Sequence, residues 1–106
     1  MNENIIESLI QKAYKSQCRF RVAAAVFDRR WKLLSLKSNA PRFDRYGGSV
    51  HAEMAALKEA GKTATYLILC RVGHKGAILD IHPCKTCQRI INKYQVKVIL
   101  LKEFKA

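Results

Sequence analysis

The chain has no apolar run approaching the ~20 residues needed to cross a bilayer, so no membrane-spanning helix is expected. It has no internal repeat and no low-complexity tract, and its 106 residues leave room for one domain, residues 1–106. The opening Met1-Asn2-Glu3-Asn4 lacks the basic start of a secretory signal, and a cytoplasmic protein is expected. Acidic residues are scarce: 8 Asp and Glu face 20 Lys and Arg, a formal net charge of +12. No dense basic block is present, so a disordered basic arm is not indicated. The scattered cations attract phosphates, in single nucleotides or in polynucleotides, but they equally suit a solvated surface.

Four cysteines in a cytoplasmic chain point to metal binding or burial before disulfides. Cys84 and Cys87 form a C-x-x-C pair. Cys70 lies in an apolar run and is expected to be a buried small hydrophobe.

Ile5, Ile6, Leu9, Ile10, Ala13 and Tyr14 recur at helical spacing, with Asn2 or Asn4 as the cap. Glu7 lies near the start of this amphipathic helix, which argues against a membrane surface. Residues 20–27 are nearly continuously apolar, as in a strand covered on both faces. Asp28-Arg29-Arg30 makes a turn into a second strand over 31–36. An irregular stretch over 38–49 follows, long enough to be functional. A second helix is expected over 50–60, with Ser49 as its cap and Gly61 as its stop. Strands over 65–72 and 77–81 flank a Gly73–Gly76 turn. Pro83 then opens a third helix through Tyr94, and 96–101 is a last strand. This order predicts a three-layer α/β/α fold with a mixed sheet of four to five strands. Ligand sites in such folds lie beyond strand ends, near helix N-termini.

Two motifs fall at those N-termini. His51 and Glu53 are two apart, so on a helix they diverge by about 200° and share a site only off its end. The first turn is where the sequence puts them. Cys84 and Cys87 are three apart, so both thiols share one face of the third helix, whose N-terminus favours thiolate. Together with His51 they supply three soft or borderline ligands suited to zinc. Three ligands fit a catalytic site that leaves its fourth position to water. Cys18, His74 or His82 would instead complete a closed structural site, although His82 is too near Cys84 for easy joint coordination.

Asn39, His51-Ala52-Glu53 and Pro83-Cys84-Lys85-Thr86-Cys87 in this order resemble the cytidine and deoxycytidylate deaminase superfamily. That superfamily also includes enzymes acting on tRNA adenosine and on polynucleotide cytidine. The resemblance spans about 20–101, and residues 83–92 look especially like the deoxycytidylate branch. It implies one Zn2+ per chain held by His51, Cys84 and Cys87, with Glu53 shuttling protons as the catalytic residue. It further implies that Asn39 contacts the base or sugar and that the Ala52 N–H holds the base carbonyl. Phe43 or Tyr46 would stack on the base or, preferably, anchor the loop.

The chain departs from many relatives in three places. Two strand-like runs precede Pro83 where relatives run one strand straight in, His82 stands where many have Glu, and the chain ends soon after residue 101. The expected activity is hydrolytic deamination of cytosine in a nucleoside or nucleotide (CMP or dCMP type), giving uracil and ammonia. A polynucleotide deaminase acting on cytosine or adenine in single-stranded DNA or RNA is the alternative, with Arg42 and Arg45 as candidate phosphate ligands. A non-catalytic zinc-stabilised nucleic-acid-binding module is the third reading. Small size and the resemblance also suggest a homo-oligomer.

Overall fold

The computed structural model describes residues 3–16, 21–41, 49–73, 77–83 and 85–101. Helix α1 (Glu3–Tyr14) precedes the hairpin β1 (Arg21–Phe27) and β2 (Leu33–Ser38). Two short strands follow, β3 (Ala40–Pro41) and β4 (Ser49–Val50), and then helix α2 (Ala52–Ala60) with a single 3-10 turn at Gly61–Thr63. Strands β5 (Tyr66–Val72) and β6 (Ile78–Leu79), helix α3 (Lys85–Tyr94) and β7 (Lys97–Leu100) complete the order.

The five-stranded sheet runs β2-β1-β5-β6, and β7 pairs in parallel with β5. β7 lies along residues 66–69 of β5 while β6 lies along 71–72, so they share one flank. The other pairings are antiparallel, giving the mixed sheet expected.

Burial explains the unbroken apolar run of β1. Val22, Ala24 and Val26 face a layer built by Ala52, Ala56 and Leu57 of α2 and Ile91 of α3. Ala23, Ala25 and Phe27 face Leu9 and Ala13 of α1. Successive strand side chains point to opposite faces, so covering both faces requires every residue to be apolar. The three consecutive alanines let helices approach the sheet from either side. Ser35, buried on β2, donates its hydroxyl to the Ala56 carbonyl at 2.6 Å and ties α2 to the sheet. This is the α/β/α architecture read from the sequence.

Boundaries moved by one or two residues at several ends. α2 starts at Ala52 with His51 as its N-cap and no side-chain cap bond, rather than with Ser49 as the cap. Gly61 ends it as expected, at φ 79°, a left-handed backbone that favours glycine. Asn4 lies inside α1 rather than capping it, and Asn2 lies outside the described residues. β2 begins at Leu33, because residues 28–32 are used by the turn. There Asp28 Oδ1 accepts the N–H groups of Arg30 and Lys32, both at 2.9 Å. None of the helices among the described residues is long and apolar enough to cross a membrane.

Candidate metal centre

The β3–β4 ladder brings the first site elements together. Ala40 pairs with Val50 and Pro41 with Ser49, so the next step along that register faces Asn39 to His51. A ladder this short has too few residues to show an alternation in the sequence.

Asn39 is buried at the end of β2 and is held on several sides. Its backbone N–H donates to the Val22 carbonyl at 2.9 Å. Its Oδ1 accepts the Val22 N–H at 3.1 Å and the Ser16 hydroxyl at 2.6 Å. The Ser16 hydroxyl also lies 2.9 Å from the Asn39 carbonyl oxygen. The Val22 N–H can only donate, so it sets which way the Asn39 amide points. Ser16 was not singled out in the sequence, because a serine after a helix carries no signal of a partner 23 residues away.

His51 precedes α2 in extended conformation, φ −74° and ψ 137°, and its carbonyl accepts the first helical bond, from the Ala55 N–H at 3.1 Å. Ala52 is the first helical residue, and N–H groups in a first turn have no partner within their own helix. Glu53 follows as the acidic residue of the first turn, where the positive helix end suits it, yet it is only 5% exposed. Cys87, the third residue of α3, is fully buried.

These side chains meet. His51 Nδ1 lies 3.1 Å from Cys87 Sγ. Ligand atoms of His51, Glu53 and Cys87 all lie within 4.8 Å of one another. Zn–N and Zn–S bonds of about 2.0–2.1 and 2.3 Å separate tetrahedral ligands by roughly 3.6 Å, so a small outward shift lets His51 and Cys87 share one ion. Imidazole and thiol are donors that suit zinc, and the group fits it. This is the only such trio among the described residues, and exposed His82 takes no part in it. Cys84, Arg42, Arg45, Phe43, Tyr46, Cys18 and His74 lie outside the described residues. Cys70 is buried in the core between β5 and α1, as expected, and burial pushes its thiol pKa up to about 11.

The fold is shared with solved cytidine deaminases. That of Burkholderia pseudomallei superposes with a TM-score of 0.70 at 21% identity, over 92% of this chain and 83% of that one. That of Mycobacterium leprae gives 0.66 at 18% identity, over 96% and 90%. That of Mycobacterium tuberculosis gives 0.64 at 20% identity, over 94% and 84%. None of the curated proteins matches the chain in sequence. The family model for the cytidine and deoxycytidylate deaminase zinc-binding region matches residues 2–102. With nearly the whole sequence matched and His51 and Cys87 brought face to face, the chain belongs to this zinc-binding deaminase family.

Proposed function

We propose that the protein hydrolyses the exocyclic amino group of cytosine in a nucleoside or nucleotide, of CMP or dCMP type, giving uracil and ammonia. The observation that carries this reading is the approach of His51 to Cys87 with the buried Glu53 carboxylate beside them. His51 and Cys87, with Cys84 of the same motif, would hold the ion. Zinc, when bound, supplies a Lewis acid that lowers the pKa of its water from 15.7 to about 7.

Glu53 does the proton work. Its carboxylate takes a proton from the attacking water, whose oxygen bonds to C4 of the base. Glu53 passes that proton to the adjacent ring nitrogen, then moves the remaining proton of the added hydroxyl to the amino group, so that the C4–N bond breaks, the C4 carbonyl forms and ammonia leaves. Water is added and ammonia released, so the balance closes without a redox partner. The Ala52 N–H, at the start of α2, holds the base carbonyl. Asn39, held by Val22 and Ser16, contacts the sugar or base, as the family resemblance implies. Arg42 and Arg45 bind the phosphate of a nucleotide substrate.

A deamination panel tests the reading. Cytidine, CMP, dCMP, single-stranded DNA, RNA and adenosine-containing RNA are each followed for ammonia release, with Glu53→Ala as control. Turnover of a free nucleoside or nucleotide above the polymers is expected. Ammonia only from polymers would transfer the activity to the polynucleotide reading, and ammonia from none would overturn it.

A further inference from the structure

We infer that the tip of the β1–β2 hairpin is a stacking platform for single-stranded nucleic acid, separate from the metal centre and independent of the deaminase reading. Trp31 is 41% exposed, yet its ring is held in place. It lies parallel to Tyr66, with centroids 3.9 Å apart and planes at 7°, and 5.5 Å from Phe27. Its backbone is left-handed, φ 63°, which an aromatic residue rarely adopts. The Trp31 N–H donates to the Asp28 carbonyl at 3.0 Å, and the Asp28 N–H to the Lys32 carbonyl at 3.0 Å, closing the turn that fixes this conformation. The closed turn thus holds a half-exposed ring in one position.

The surroundings select the partner. Phe27 pairs with Tyr66 and Tyr66 with Lys97 across neighbouring strands, so the three side chains share one face at this end of the sheet. Lys97, Arg29, Arg30 and Lys32 are all exposed, and none forms an ion pair among the described residues. Asp28 is the acidic residue here, and its Oδ1 is occupied by two backbone N–H groups. Tyr66 stacks on Trp31 and the Trp31 side chain is still 41% exposed, which suits a base, while the four cations suit phosphates. Duplexes hide their base faces, and a second copy of this chain would bring the same cations against themselves. The metal centre is elsewhere: Asn39 bonds Val22 at one end of β1, and Trp31 follows Phe27 at the other. Five residues of strand separate these ends by roughly 17 Å.

Trp31 is the single tryptophan of the chain, so its fluorescence reports this surface alone. Oligo(dT) of about 12 nucleotides is titrated into the full chain at 50 and 200 mM NaCl, with heparin and phosphatidylserine vesicles as anions lacking bases. We expect quenching by oligo(dT), weaker affinity at the higher salt, and at least fivefold weaker binding by Trp31→Ala in a competition assay. Trp31→Phe should stay within about twofold, and the Arg29→Glu/Arg30→Glu double variant, which keeps the ring, should bind at least tenfold more weakly. Unchanged fluorescence with oligo(dT) would overturn the inference. So would vesicle quenching equal to that by oligo(dT), or an equal loss of heparin and oligo(dT) binding in Trp31→Ala. No readout needs turnover, so failure here and failure of the deaminase reading are distinct results.

Discussion

His51 Nδ1 and Cys87 Sγ lie 3.1 Å apart although 36 residues separate them in the chain. Each belongs to the start of a helix, and both helices pack on the same face of the sheet. Two electron-rich atoms approach this closely only by sharing a proton or a cation. A shared thiol proton meets this geometry, and a zinc ion would meet it in a family named for its zinc-binding region.

Zinc should therefore contribute directly to folding stability. Cys87→Ala is expected to lose the metal and to melt about 10 °C lower or more, because an ion bound only by the folded state stabilises it by mass action. A chelator added to the unmodified protein should reproduce most of that drop. Metal analysis paired with thermal melts checks both.

Glu53 separates metal binding from chemistry. Glu53→Gln should retain about one zinc per chain while cytosine deamination falls by about 10²–10⁴-fold, the usual worth of a positioned proton carrier. Ammonia release beside metal content measures the two effects on one preparation.

Asn39 is buried and bonded to both Val22 and Ser16. Asn39→Ala strips the partner from the buried Val22 N–H and should cost about 1–3 kcal/mol in urea unfolding. Ser16→Ala should cost less, about 1 kcal/mol, because the Val22 bond survives. A double-mutant cycle should show the two changes to be non-additive.

Cys70 sets an alkaline limit. Burial raises its pKa from 9.0 to about 11, so the folded protein keeps the proton where the unfolded chain has lost it. That contribution is whole below pH 9 and disappears as pH rises through 11, at most about 3 kcal/mol. Cys70→Ala should flatten the decline in denaturant midpoint over this window.

Much of this was legible because it depends on period and local chemistry. The continuous apolar run of β1, the helical spacing of Leu9 and Ala13, and the glycine stop at Gly61 each report a local constraint. The pairing of His51 with Cys87 is legible through the chemistry of ligand types and the family resemblance of the two motifs, since spacing within either helix says nothing about the other. Less local features stayed hidden. The β3–β4 ladder is two residues long, the Ser16–Asn39 bond is purely tertiary, and the left-handed backbone of Trp31 is imposed by the Asp28 turn. Ser49 is the better capping residue of α2 by type, but the ladder extends through Val50 and leaves His51 at the helix start.

Zinc K-edge absorption on the metal-loaded protein tests the central claim most directly. One zinc per chain with two sulfur ligands near 2.3 Å and two lighter ligands near 2.0–2.1 Å is the expected shell. Replacing His51 with Ala should remove one nitrogen, and an added cytosine nucleoside analogue should perturb only the light-atom shell. A shell of three or four sulfurs, or one unchanged by loss of His51, would contradict the account.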